Sequence, residues 1–93
     1  MEKKPLSRAV VTVIGKDRVG ILAGVSAKCA QAGANVIEVT QSVIEEFFCM
    51  VMIIDIDNLS CSLDGLQTCI KEECNDMEVH VMHENIFNSM HRI

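Results

Sequence analysis

Tryptophan and tyrosine are absent, phenylalanine occurs three times, and basic residues are in deficit. Eight lysines and arginines stand against thirteen aspartates and glutamates, a formal net charge of −5. Gripping a phosphate backbone takes clustered Lys and Arg, so direct nucleic-acid binding is not expected. No long apolar run exists either. The longest, Phe47 to Ile54, is far shorter than the ~20 residues of a membrane-crossing helix. Met1 to Leu6 is charged and has no apolar stretch behind it, unlike a secretory signal. The expectation is a cytoplasmic protein without membrane contact.

Catalytic signatures are missing as well. No serine sits in a Gly-x-Ser-x-Gly elbow, and Gly15 and Gly20 do not complete a nucleotide-binding fingerprint. The adjacent acid pairs Glu45-Glu46 and Glu72-Glu73 fall in a turn and near a helix end, where solvent surrounds them. An enzyme is not expected, and no cofactor is implied. The cysteines, Cys29, Cys49, Cys61, Cys69 and Cys74, are odd in number and contain no Cys-x-x-Cys pair. That argues against a disulfide framework. Cys29, Cys49 and Cys69 lie in apolar patterns and read as small core residues. Cys61, between two serines, reads as exposed. His80, His83 and His91 do not converge on one face, so no metal site is assigned; His83 and His91 are expected to help anchor the chain's end.

What the chain has in excess is aliphatic surface. Of its 93 residues, 49% are hydrophobic, supplied by Val, Ile, Leu, Met and Ala. A domain this short buries its surface inefficiently, so a homo-oligomer is expected. Charge is uneven: Lys3, Lys4, Arg8, Lys16 and Arg18 crowd the first 18 residues, and the span from Glu38 to Glu84 is acidic. The positive end is either a solvated terminus or an attraction for an anionic ligand.

Periodicity divides the chain into seven segments. Arg8 to Ile14 is β-branched and ends at Gly15, which predicts a strand. Asp17 to Ala32 carries Ile21, Leu22, Val25, Cys29 and Ala32 at helical spacing, with Asp17 as N-cap and Gly33 as left-handed terminator. Asn35 to Ile44 alternates as a half-buried strand, and Glu45-Glu46 makes a tight turn. Phe47 to Ile56 is apolar throughout, which predicts a strand covered on both faces. Ser62 to Cys74 reads as a helix with Leu63, Leu66, Cys69 and Ile70 inward and Ser60 or Ser62 as N-cap. Met77 to His83 alternates as a fourth strand. Residues 85–93 form a short amphipathic helix with Ile86, Phe87, Met90 and Ile93 on one stripe.

This order, β-α-β-β-α-β plus a helical tail, predicts an α+β, ferredoxin-like fold. Right-handed crossovers put both main helices on one face of a four-stranded antiparallel sheet, with the first and third strands central. The sheet's other face is then covered by the tail, by a second subunit, or by both.

The segment Gly15-Lys16-Asp17-Arg18-Val19-Gly20-Ile21-Leu22 passes from strand to helix. Its glycines permit close approach of a ligand or backbone, and unpaired N–H groups at a helix start suit a carboxylate. Spacing alone favours an ordinary strand-to-helix turn in which Asp17 merely caps. With Ala32-Gly33-Ala34-Asn35-Val36-Ile37 following, however, the pattern resembles the signature of ACT domains, small modules that bind amino acids and regulate metabolic enzymes. The ending from His83 to Ile93 is similar to that of free-standing single-ACT-domain bacterial proteins, related to the ACT segments of formyltetrahydrofolate deformylase and glycine-cleavage regulatory proteins.

The resemblance implies an ACT domain over residues 1–84 and a tail over 85–93 that packs on the domain or a dimer partner. It implies a ligand between two subunits, held by Asp17, Arg18, Val19, Gly20, Ile21 and Leu22 of one and by Asn35, Val36 and Ile37 of the other. Asp17 would pair with an ammonium group, and Asn35 would offer a donor and an acceptor. The chain departs from the serine-binding pattern, in which Asn often stands at Asp17 and His at Gly15. The function implied is an amino-acid-binding regulatory homodimer acting on a partner enzyme or regulator. The alternatives are a structural dimer module with a vestigial ligand site, and a metal- or redox-responsive regulator using Cys61 and the histidines.

Overall fold

The computed structural model describes residues 7–16 and 20–90, apart from the side chains of Phe87 and Met90. The strands and helices are β1 (Arg8–Lys16), α1 (Ile21–Gln31), β2 (Asn35–Ile44), β3 (Phe47–Asp55), α2 (Leu63–Glu73), β4 (Glu78–His83) and α3 (Glu84–Met90). The strands form one sheet in the order β2-β3-β1-β4, and every neighbouring pair is antiparallel. The expected ferredoxin-like architecture is therefore present, with β1 and β3 central.

The pleat explains the core. Alternate residues point to one face, so Ala9, Val11 and Val13 of β1 join Phe48, Met50, Met52 and Ile54 of β3 and Val79 and Val81 of β4. Helix α1 contributes Ile21, Val25 and Cys29, spaced by four. Helix α2 contributes Leu66 and Ile70, and Cys74 and Met77 close the connection to β4. The cluster is aliphatic and methionine-rich, as the near-absence of aromatics requires.

Caps set the helix limits. Ser62 Oγ accepts a hydrogen bond from the Gly65 amide at 3.0 Å, starting α2 where the sequence placed it. Gly33 ends α1 with φ +88°. Its N–H donates to the Ala30 carbonyl at 3.0 Å and that of Ala34 to Cys29 at 2.9 Å, a left-handed closure.

The junction between β1 and α1 differs from expectation. Gly15 does not end the strand; it pairs with Phe48, and β1 runs on to Lys16. A Cβ at Gly15 would stand 3.0 Å from Met77 Cγ and Cε, so glycine is needed there for close packing rather than for a turn. The helix starts at Ile21, with Gly20 as N-cap at φ +86°. Asp17 is thus not the N-cap residue: the longer strand pushes the helix start on to Gly20, which alone can take a positive φ cheaply.

Two cysteines are also reassigned. Cys69 is exposed, not inward, and Cys49 is half-buried, while Cys29 and Cys74 are buried and Cys61 is exposed as expected. Burial pushes the Cys29 thiol from its ordinary 9.0 up to about 11. The folded protein keeps that proton where the unfolded chain has lost it. Cys29 therefore contributes stability fully below pH 9.0, and that contribution disappears as pH rises to about 11. The expected loss over this window is about 2–3 kcal/mol. Urea melts of the wild type and Cys29→Ala from pH 8 to 11 check it, since the variant should lack this component.

The face of the sheet away from α1 and α2 is unevenly covered. Helix α3 contacts β1 and β4, and Arg8 ties its start to β1 through Nε and Nη2, 3.0 and 2.9 Å from Glu84 Oε2. Val10, which points to this face, is 2% exposed. Farther along, Ile14 (48%), Phe47 (50%) and Ile44 (62%) are open. The expected two-sided covering of β3 is thus complete on the helix side only: residues 49, 51 and 53 are half-buried. In α3, Ile86 is 56% exposed within the single chain; the Phe87 and Met90 side chains and Ile93 lie outside the described residues.

The two edges of the sheet are treated differently. At β4 the Val81 amide donates to Gln67 Oε1 at 2.8 Å, and Lys71 Nζ donates to the Met77 carbonyl. Side chains of α2 thereby engage one backbone group of that edge and one of the residue before it. Strand β2 has no such seal among the described residues. Of its ten residues only Val39 is even partly buried, so the expectation of a half-buried strand fails within one chain.

Candidate functional site

The residues singled out from the sequence fall into two groups at opposite ends of the sheet. Asn35 pairs with Asp55, which pairs with Arg8; Ile44 pairs with Phe47, which pairs with Lys16. Lys16, the last residue of β1, therefore stands at one end and Asn35 at the other. Eight residue steps separate these ends, about 26 Å at strand rise. One protomer cannot bring the two groups to one small ligand.

At the turn end, Asp17, Arg18 and Val19 lie outside the described residues. Gly20 is exposed and its carbonyl accepts the Gly24 amide at 2.9 Å, the first bond of α1. The amides of residues 21–23 therefore precede the helical ladder and remain available to an acceptor. Ile21 is 3% exposed and Leu22 packs against the core. Their side chains are committed to folding, which leaves only their backbone amides open to an acceptor.

At the other end, Asn35, Val36 (40%) and Ile37 (46%) are all exposed. Val36 pairs with Ile54 and Glu38 with Ile53, leaving Ile37 as the extra residue of a bulge. A bulge bends the strand and interrupts its ladder. Here it occurs two residues after Asn35, on the bare edge.

Neither of two surface grooves involves these groups. One, about 390 Å³, lies between α2 and β4 and is lined by polar residues including Lys71, Glu72 and His80. The other, about 280 Å³, lies between α1 and α2. Among the described residues no three His, Cys, Asp or Glu side chains gather as a metal set. His80 Nε2 is 3.6 Å from Glu78 Oε2, both exposed. His83 Nδ1 accepts the Asn85 amide at 3.1 Å, which places its ring at the start of α3. Arg8, part of the positive segment, is engaged with Glu84.

Sequence reasoning missed the apolar patch of Ile14, Ile44 and Phe47 beside Lys16. A signal existed: Phe47 and Phe48 are adjacent in a strand, so only one can enter the core. Among the described residues no helix is long and apolar enough to cross a membrane.

The model of the ACT domain matches residues 7–84. A UPF0237 protein of Clostridium perfringens is 41% identical over 87 residues, spanning 91% of this chain and 98% of that one. An ACT domain protein from Streptococcus pneumoniae superposes with a TM-score of 0.73 at 29% identity, covering 89% of this chain and 96% of the other. A formyltetrahydrofolate deformylase from Pseudomonas syringae superposes with a TM-score of 0.74 at 26% identity, over 86% of this chain and 28% of the enzyme.

Proposed function

Because the chain belongs to the ACT domain family, whose model spans residues 7–84, we propose that it is a regulatory homodimer that binds an amino acid between its subunits. The observation that carries this reading is the separation of Gly20–Leu22 from Asn35 across the length of the sheet, combined with the bare β2 edge that lies between them. Antiparallel pairing of β2 with its counterpart would lay the Asn35 end of one protomer beside the Ile44 end of the other. Lys16, which leads toward α1, stands at that same end. A two-fold axis then assembles two sites from four half-sites.

The chemistry suits a zwitterion. Free amides at the start of α1 take a carboxylate, Asp17 takes the ammonium, and the partner's side contributes Asn35 as donor and acceptor. Val36 and Ile37 supply apolar contact. Nothing in this arrangement activates a nucleophile or moves a proton, so the module senses rather than catalyses. It acts in the cytoplasm, and its ligand alters a partner enzyme or regulator by favouring one assembly over another.

Calorimetric and thermal-shift titration with the standard amino acids tests the reading. One or a few are expected to bind in the micromolar to millimolar range and raise the melting temperature. Silence from all of them at millimolar concentration contradicts it. The exposed apolar residues of β2 also support a second reading, a dimer module without a ligand. That reading predicts a stable dimer, no titration, and no change in behaviour from Asn35→Ala.

A further inference from the structure

Two of the five thiols share one groove. It lies between the C-terminal end of α1 and the start of α2, has a volume of about 280 Å³, and is lined by Lys28, Gln31, Ala32, Ser60, Cys61 and Cys69. Cys61 and Cys69 are the exposed cysteines; Cys29 and Cys74 are buried and Cys49 is half-buried on the sheet. Thiol chemistry follows access, so it is directed to this groove. We infer that the groove is a thiol-modification site in which Cys61 takes up a small carboxylate-bearing thiol as a mixed disulfide.

Cys61 is held there by its neighbours. Ser60 donates twice to the Ala32 carbonyl, from its amide at 2.8 Å and its Oγ at 3.0 Å. Ser62 is fixed by capping α2. The thiol between them lies over Gly65, with Sγ 3.9 Å from where a Cβ would stand. The missing side chain leaves room beside the sulfur. Lys28 supplies the recognition element. Lys28 lines the groove, and no ion pair within the described residues engages its ammonium, which leaves that charge for an adduct's carboxylate.

The reaction is thiol–disulfide exchange with a low-molecular-weight disulfide. The Cys61 sulfur, as thiolate, attacks one sulfur of R–S–S–R; the new S–S bond forms as the old one breaks. The second half leaves as RS⁻ and takes up the proton that Cys61 released. No other oxidant is needed.

The groove also touches the strand that carries Asn35. Ala32, whose carbonyl anchors Ser60, leads through Gly33 and Ala34 into β2, and Gly33 packs against the Asn58 carbonyl. An adduct on Cys61 presses on this junction. That consequence rests on the ligand-binding reading; the modification itself does not.

The test exposes the folded, full-length protein briefly to cystine or to the neutral bis(2-hydroxyethyl) disulfide. The adducts are mapped by peptide mass spectrometry, with the urea-unfolded chain as reference. Cys61 is expected to carry the first adduct. The folded chain should favour cystine over the neutral disulfide several-fold more than the unfolded chain does. Lys28→Ala should abolish that preference while Cys61 still reacts with the neutral reagent. First modification at Cys69 or Cys49, or a preference that survives Lys28→Ala, overturns the proposal. Hydrogen exchange at residues 33–37 should change on modification, and unchanged exchange overturns the link to β2. Amino-acid titration of the unmodified protein is a separate readout, so failure of the sensor reading and failure of this site are distinguishable.

Discussion

Gly33→Ala is expected to destabilise the protein by about 3 kcal/mol or more, a large fraction of the 5–15 kcal/mol typical of a whole domain. Two effects add. The φ of +88° is one that a Cβ-bearing residue occupies at a cost of roughly 1–2 kcal/mol. The new Cβ would also stand 2.4 Å from the Asn58 carbonyl oxygen and 3.3 Å from its carbon. Both are backbone atoms, which cannot rotate away as a side-chain tip does, and forced overpacking costs about 1–3 kcal/mol. Gly20→Ala is the control. Its φ is +86°, yet nothing among the described residues lies within 4 Å of the added Cβ, so only the backbone cost of roughly 1–2 kcal/mol applies. Urea denaturation of the two variants separates the effects. Equal losses would mean that the 58–60 loop does not press on the end of α1.

The second large effect concerns assembly rather than folding. Val43 and Ile44 are 54% and 62% exposed on the unsealed edge. Replacing both with lysine removes little from the core, so unfolding free energy of the isolated chain should change by about 0.5 kcal/mol or less. Lysines on an edge strand oppose pairing with another strand. The dimer dissociation constant is expected to rise roughly 10- to 100-fold, equivalent to about 1.4–2.8 kcal/mol, and amino-acid binding should fall with it. Sedimentation across a concentration series reads the first and calorimetry the second. Lysines at Glu78 and His80, on the edge that α2 seals, should leave association unchanged. A Val43→Lys/Ile44→Lys protein that dimerises like the wild type removes β2 from the interface.

Much of the fold could be read from local chemistry. The limits of β2, Asn35 and Ile44, follow from alternation bounded by Gly33 and Glu45-Glu46, and the start of α2 follows from Ser62. The β1–α1 junction was misread because glycine has two uses. Gly15 looks like punctuation, but its lack of a side chain serves packing against Met77 within the strand. Cys69 was misplaced because its angle around α2 lies outside the buried arc. At about 100° per residue, Leu63, Leu66, Ile70 and Cys74 share one arc of the helix, and Cys69 falls about 105° from its centre. The exposure of β2 is a different kind of miss. Its alternating pattern predicts a partner for one face, but the chain does not say whether that partner is itself or a copy.

The candidate site was legible in part for the same reason. Gly20 and Asn35 stand out by residue type and position, as a positive-φ helix start and an exposed strand start. That they stand at opposite ends of strands about 26 Å long emerges only from strand order and register, which join residues distant in sequence.

Subunit complementation tests this arrangement most directly. Asp17→Ala and Asn35→Ala are each expected to abolish binding of the amino acid that the wild type prefers, while leaving the dimer intact. Mixing equal amounts of the two, with exchange of subunits, produces heterodimers in which one of the two sites combines an unaltered turn with an unaltered strand. The account predicts that about a quarter of the sites in the mixture recover full affinity. No recovery in a mixture shown to contain heterodimers would mean that each chain builds its site alone, and the shared-site account would be wrong.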